Sequence, residues 1–289
     1  MRAHLADFEL SVATDLMAAL TLLANGSANG ESWRPMAGGT DLMVLFNAGR
    51  LPYRKLVSIA KLGELGGISV SPDSVCIGAG VTYSTIQRDP ILQAEFPLLC
   101  QAAGWTGSPA NQNRGTIGGN IVNASPAADT PPALLVYDAE VELTSLSGSR
   151  RISYDQFHTG YKAMQMRSDE LLTKIYLPRR DHALKQYARK VGTRKAQAIS
   201  KVCFNAAAQM DSSIVRSIRI GLGSVAPVPL RCHKLEAVLT GQPLTAALIA
   251  HAREVIAAEI KPIDDIRSTS QYRSLVTQNL LAEFLRSCQ

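Results

Sequence analysis

Two stretches of this chain set adjacent glycines at a turn between apolar runs. They are "RPMAGGTDLMVLF", Arg34 to Phe46, and "NRGTIGGNIVNASPAAD", Asn113 to Asp129. Glycine has no Cβ, so it reaches positive φ cheaply and lets another group come close to the backbone. Consecutive amides in such a turn can point into one concavity and hold an anion, and a helix starting just behind adds its positive end. "AGGTDLM" has both ingredients if a helix starts near Asp41, and "GTIGGN" repeats the glycine pair. Neither is the G-x-G-x-x-G dinucleotide fingerprint, and neither is followed by the GK[ST] of a P-loop. Either alone is equally a tight turn and nothing more. Together they suggest two amide nests closing on the adjacent phosphates of a dinucleotide from opposite sides. In that reading Asp41 bonds backbone amides or nearby sugar hydroxyls, Asp129 bonds ribityl or ribose hydroxyls, and Asn120 and Asn123 supply donors and acceptors. Thr40, Thr116 and Ser125 add small hydroxyls on the same surface.

The 289 residues suit one large or two modest domains, and 46% apolar residues allow a substantial core. The formal charge of +6 reads as a mildly basic surface. No Lys/Arg run is interleaved with aromatics, so nucleic-acid binding is not expected. The densest basic segment, "YARKVGTRKAQAISK", is broken by small and apolar residues and suits a cation-lined pocket better. The start, "MRAHLADFELSVATDL", lacks the charge and apolar core of a signal peptide. No apolar run approaches the ~18 residues of a membrane span, so a cytoplasmic protein is expected. Cys76, Cys100, Cys203, Cys232 and Cys288 are scattered, with no CxxC pair and no histidine at metal-ligand spacing. An iron–sulfur or zinc site within the chain is therefore not expected.

The periodicity predicts a helix from Thr14 ending at Asn25-Gly26, then a strand, glycine turn and helix over "WRPMAGGTDLM". "KLVSIAKL" and "VCIGAG" read as strands, "ILQAEFPLLCQAAGW" as one helix. In "PPALLVYDAEVELTSLSGSRRI", Leu134 and Val136 lead into an alternating strand through Leu143, with Ser-Gly-Ser as a hairpin turn. "ELLTKIYLP" is a strand ending at Pro178. Beyond a short polar boundary at 178–182, strands precede two amphipathic helices, as in a separate α+β domain.

These motifs, in this order, resemble the FAD-binding subunit of molybdenum hydroxylases. That family includes xanthine dehydrogenase flavin subunits and the medium subunit of aerobic carbon monoxide dehydrogenase. The likeness extends through "FHTGYKAM", "DELLTKIYLP", "AISKV", "GLGSVAPVPLR" and "RSTSQYRSLVTQNLL". It implies an α+β fold. An FAD-binding domain of two subdomains, about 1–60 and 61–178, precedes a C-terminal domain at 179–289 with a small antiparallel sheet and helices. It implies non-covalent FAD here, with the molybdenum cofactor and iron–sulfur clusters on partner subunits, and NAD+ or another acceptor taking the electrons. Carried over by position, Ala37, Gly38, Gly39, Thr40 and Asp41 form one pyrophosphate turn. Thr116, Ile117, Gly118, Gly119 and Asn120 form the other. Asp129 holds sugar hydroxyls, Leu172 touches the ring, and Lys201 lies near the isoalloxazine. Gln112 stands where the family usually has arginine, so any neighbouring contact made by that arginine differs here.

Flavin chemistry asks the protein to position and tune the cofactor more than to move protons. A cation ~4 Å from a developing charge is worth ~4 kcal/mol at an effective dielectric near 20, before desolvation. Lys201 is the candidate; the alternative is a surface lysine at a strand end. Trp105 and Tyr161 suit either stacking or packing, His158 a satisfied strand-end histidine, and "GLGSVAP" from Gly221 a strand end turning at Ala-Pro. The resemblance favours a purine or related N-heterocycle as substrate of the whole complex, with a carbon monoxide-type complex as the alternative. A scaffold that has lost flavin and a stand-alone flavin reductase are the readings from other classes.

Overall fold

The structure, a computed structural model, describes residues 8–28, 30, 32–180 and 184–289. Half of the segment read as lacking a signal peptide (residues 1–7) and part of the polar boundary (181–182) lie outside the described residues.

The first layer is a parallel βαβ unit. β1 (Glu9–Val12) leads through α1 (Leu16–Ala28) to β2 (Trp33–Met36), and α2 (Leu42–Asn47) leads to β3 (Lys55–Ser58). The strands pair in the order β1-β3-β2. Asp15 starts α1 by accepting the Ala18 N–H at 2.8 Å. Ala19, Leu20 and Leu23 of α1 then pack on Val57, Ile59, Leu62 and Leu65. α1 runs two residues past the expected Asn-Gly stop, because Gly26 is buried within it rather than free at a cap.

The second layer begins with β4 (Ile68–Val70) and β5 (Ser74–Gly78). A helical stretch follows: α3 (Tyr83–Arg88), α4 (Pro90–Glu95), α5 (Pro97–Trp105), α6 (Pro109–Gln112), α7 (Ile117–Val122) and α8 (Pro131–Val136). Then come β6 (Glu140–Ser145), β7 (Gly148–Ser153), α9 (Tyr154–Phe157), β8 (His158–Gly160), β9 (Ala163–Met164) and β10 (Leu171–Pro178). Five of these strands form an antiparallel sheet in the order β4-β5-β10-β6-β7. The single helix expected over 91–105 is two, α4 and α5. Pro97 has no N–H to donate and pushes Phe96 out of helical geometry, to φ −130° and ψ 50°. Leu134 and Val136 belong to the buried helix α8, not to a strand, because Pro131 and Pro132 preset its first turn. The strand starts only at Glu140, after Asp138 reverses the chain at φ 51°.

The third layer is the antiparallel sheet β11 (Lys185–Val191), β12 (Val202–Asp211), β13 (Ile214–Gly223) and β14 (Leu230–Arg231). It carries α10 (His233–Leu239), α11 (Ala246–Glu259) and α12 (Ser270–Ser287), with Phe204, Ile220, Leu281 and Phe284 in the shared core. α8 packs directly on β13. A Cβ on Gly221 would come within 2.2 Å of the Pro132 carbonyl oxygen, so glycine is required for this approach. "GLGSVAP" is thus a strand end at a helix–sheet contact. No helix among the described residues is long and apolar enough to cross a membrane.

Candidate cofactor site

The two glycine turns meet. A Cβ built on Gly38 would fall 1.9 Å from the Arg114 carbonyl oxygen and 3.1 Å from the Cα of Gly115. The backbone of the first turn therefore lies directly on the residues that open the second. Gly39 takes φ 72°, which only glycine adopts without strain, and sends the chain into α2. The N–H groups of Gly38, Gly39, Thr40, Asp41 and Leu42 donate to no acceptor among the described residues; the first bonded amide is Met43, to Gly39 O at 2.9 Å. The Asp41 carboxylate makes no capping bond.

The second turn is built differently. Thr116 caps α7, its Oγ1 accepting the Gly119 N–H at 3.1 Å. Ile117 N–H bonds Val81 O at 3.0 Å, Gly118 N–H bonds Ala79 O at 2.9 Å, and Asn120 N–H bonds Thr116 O at 3.0 Å. Gly118 is glycine because a Cβ there would sit 2.6 Å from the Ala79 Cβ. Of the two turns expected to offer open amides, only the first leaves them without an acceptor among the described residues; in the second, Ile117 and Gly118 stitch α7 to the β5–α3 connection and Gly119 and Asn120 bond Thr116.

A cavity of about 360 Å³ borders the first turn, at Gly38, Gly39, Thr40, Met43 and Arg114, and two further, adjoining cavities touch both turns. One, of about 260 Å³, is walled by Gly38, Gly39, Thr40 and Asp41 on one side and Thr116, Gly119, Asn120 and Asn123 on the other. The second, about 60 Å³ and mostly apolar, reaches inward past Ala37, Gly118, Val122, Met166, Leu171 and Leu172. Arg34 borders both, with its guanidinium 4.9 Å from the Tyr53 ring centroid. Lys162 clamps Asn123, donating to its backbone O at 2.6 Å and its Oδ1 at 2.9 Å. Burial lowers the Lys162 ammonium pKa, while the Asp41 charge opposes that and Arg34 adds to it. Asn120 Oδ1 accepts from Thr130 Oγ1 at 2.6 Å.

Four of the residues expected at the site do not line either cavity. Ile117 is fully buried core beneath the turn. Ser125 Oγ caps its own loop, accepting the Ala127 N–H at 3.3 Å. Asp129 lies behind Tyr83, which lines the cavity of about 260 Å³; burial first, then the Asp129 charge, keeps that phenol protonated. Both Asp129 oxygens are engaged, Oδ2 by Lys190 Nζ and Oδ1 by Ser200 Oγ, each at 2.6 Å. Burial pushes this carboxyl above the ordinary aspartate range while Lys190 and Ser200 pull it back. Lys201 points elsewhere, with Nζ 5.1 Å from the Tyr272 ring centroid. The lysine that the fold brings to Asp129 is Lys190, which also bonds the Trp105 carbonyl at 2.9 Å. No local spacing marks that pair, since it forms between β11 and a loop 61 residues earlier. Arg34 and Lys162 were equally silent in the sequence.

Of the other residues singled out, Trp105, His158 and Gln112 have packing or hydrogen-bonding roles, whereas Tyr161 stands in solvent. Trp105 is half-buried against the central core, and Tyr161 is 70% exposed. His158 holds the last turn of α7 through Nε2 to Ile121 O at 3.0 Å, and burial lowers its pKa. Gln112 donates to Gly104 O at 2.9 Å and accepts from Gln87 at 3.2 Å, bracing α5 against α6.

Comparison with known proteins agrees with this architecture. Residues 6–180 match the family described as FAD binding domain in molybdopterin dehydrogenase, and residues 187–288 match the CO dehydrogenase flavoprotein C-terminal domain. The chain is 31% identical over 271 residues to the putative xanthine dehydrogenase FAD-binding subunit of Escherichia coli (strain K12), covering 93% of this chain and 91% of that one. It is 27% identical over 262 residues to the carbon monoxide dehydrogenase medium chain of Hydrogenophaga pseudoflava, covering 89% and 90%. A solved carbon monoxide dehydrogenase from the same organism superposes with a TM-score of 0.91 at 26% identity, covering 96% of each chain. The open amides, the apolar chamber beside them and these matches converge: the chain belongs to the family of FAD-binding flavoprotein subunits of molybdenum-containing dehydrogenases.

Proposed function

We propose that this chain holds FAD non-covalently across the two adjoining cavities. In a complex with a molybdenum-cofactor subunit and an iron–sulfur subunit, it takes electrons from the clusters and gives them to NAD+ or another acceptor. The observation that carries the reading is the run of amides from Gly38 to Leu42, which have no acceptor among the described residues and belong to residues that line the larger of the two cavities. Unsatisfied backbone donors are costly unless a ligand or water takes them, and a diphosphate bridge offers acceptors in the required density. Bound there, FAD supplies the two-electron chemistry.

The chain's own part is to bind, orient and shield. Ala37 to Asp41 grip the diphosphate. Gly119, with no side chain, lets the cofactor approach the opposite wall, where Asn120 and Asn123 offer polar groups. Arg34 and Lys162 balance the added negative charge at the rim. Leu172, with Leu171 and Met166, keeps water from the inner chamber. Lys201 lies over Tyr272 and does not line either cavity, so the cations nearest the proposed flavin are Arg34, which lines both, and Lys162, which bonds Asn123. The division into residues 1–178, with subdomains about 1–60 and 61–178, and residues 179–289 follows from this reading. The substrate is chosen on the molybdenum subunit; a purine or related N-heterocycle is our assignment, supported by the xanthine dehydrogenase relative.

Affinity purification of the native complex, with flavin spectra, iron and molybdenum analysis and anaerobic titration, tests this. Flavin bands that bleach on adding substrate and recover on adding NAD+ support it. Bleaching without recovery leaves the acceptor assignment wrong, and a colourless chain sinks the reading as a whole.

A further inference from the structure

Ile266 is 100% exposed, yet it sits on one of the most tightly built turns in the molecule. Asp265 and Ser268 exchange backbone bonds at 3.0 and 3.2 Å. The Asp265 carboxylate accepts from Arg267 N–H at 2.8 Å, Ser268 N–H at 3.1 Å and Arg273 Nη2 at 2.8 Å. Against the upward push of its desolvation, these donors and the Arg273 charge hold that carboxyl down to about 2. Arg273 itself is 3% exposed and anchors the turn to the body through Lys201 O at 2.7 Å and Ser224 O at 3.1 Å. Nothing in the chain's own packing explains a rigid mount for an apolar side chain held in water.

The surroundings continue the pattern. Arg273 ties the turn to the loop between β11 and β12, where Ile199 is 51% exposed, and to the start of α12, where Tyr272 and Leu275, one turn apart, are 42% and 52% exposed. Lys201 lies over Tyr272. These segments carry the exposed cations Arg194, Lys195 and Lys261 and the paired Arg267, against two carboxylates, Asp264 and Asp265, in residues 261–275. Asp265 is spent on Arg267 and Arg273, and Asp264 accepts the Ser270 N–H. An apolar centre containing a tyrosine, with a polar rim, is the anatomy of a protein interface, and a preformed turn lowers the ordering cost of binding.

We infer that the Ile266 turn, with Tyr272 and Ile199, is a docking surface for a permanent partner subunit that presents an apolar pocket rimmed by carboxylates. A second copy of this chain would bring the same cations face to face, so charge selects a different, acidic partner. Ser200, next to Ile199, bonds Asp129, so the docked partner abuts the Asp129–Lys190 pair. The inference rests on the chain working within a complex, and flavin content read on the same sample separates the two claims.

The test uses the co-expressed complex. Ile266→Asp is expected to reduce the partner recovered with this chain at least tenfold, while flavin content and melting temperature of the chain stay at wild-type values. Ile266→Leu should retain the partner, as should Leu146→Asp on the remote β6–β7 turn. A photo-crosslinking amino acid at position 266 should capture a different subunit. Capture of a second copy of this chain, no capture, or full partner recovery with Ile266→Asp overturns the proposal.

Discussion

Gly38→Ala isolates the contact on which the site is built. The added methyl carbon would sit 1.9 Å from the Arg114 carbonyl oxygen, where real Cβ contacts essentially never fall below 3.0 Å. The first turn must therefore retreat by about 1 Å from the second, the difference of those two distances. The neighbour is backbone, not the flexible end of a side chain, so it cannot swing aside. Overpacking of this kind costs ~1–3 kcal/mol. Because FAD is proposed to bridge the turn and the wall opposite, most of that cost should appear in affinity. At 1.4 kcal/mol per tenfold change, FAD binding should weaken by about 5- to 150-fold. The assay is fluorescence titration of the apo-chain with FAD, alongside urea unfolding. Gly63→Ala is the control, since a Cβ there meets nothing within 4 Å and φ is not positive. Wild-type affinity in Gly38→Ala, or equal losses in both variants, would refute the reasoning.

Asp129→Asn should destabilise the fold by ~3–5 kcal/mol in urea unfolding, because it leaves the Lys190 ammonium buried without its counter-charge, its side chain being 10% exposed. Adding Lys190→Met should recover most of the loss, and a failure to recover would deny the pair. Thr116→Ala removes the α7 cap and should cost ~1 kcal/mol, with Thr116→Ser recovering most of it in the same assay. His158 has its pKa lowered by burial, so the unfolded chain binds the proton more readily. Its contribution is intact above the unfolded value of ~6.5 and is lost as pH falls from there towards the folded pKa. The melting temperature should fall more steeply between pH 7.5 and 5.5 in wild type than in His158→Gln, and parallel curves would show the histidine is not responsible.

The close approaches were the legible part of this molecule. Gly38, Gly39 and Gly118 are glycine for steric reasons that show as paired glycines, and α2 begins where Asp41 suggested. The hairpin at 140–153 and the strand ending at Pro178 likewise follow from alternation and a missing N–H. Errors arose where local and tertiary signals compete. Leu134 and Val136 alternate like a strand, but two prolines and complete burial on both sides favour one short helix. The satisfied amides of Ile117 and Gly118 could not be foreseen, since their acceptors, Val81 and Ala79, lie about 36 to 39 residues earlier in the β5–α3 connection. The same distance in sequence hid Lys190 from Asp129 and Lys162 from Asn123. Meanwhile Lys201, chosen by motif, turned to Tyr272.

Amide hydrogen exchange of the chain with and without FAD reads the claim at its source. Free of ligand, Gly38 to Leu42 have no acceptor among the described residues and should exchange quickly. Saturating FAD should slow them by at least tenfold while Gly118 and Gly119, already bonded, change little. Unchanged exchange at Gly38 to Leu42 in the flavin-loaded protein would contradict the proposed clasp.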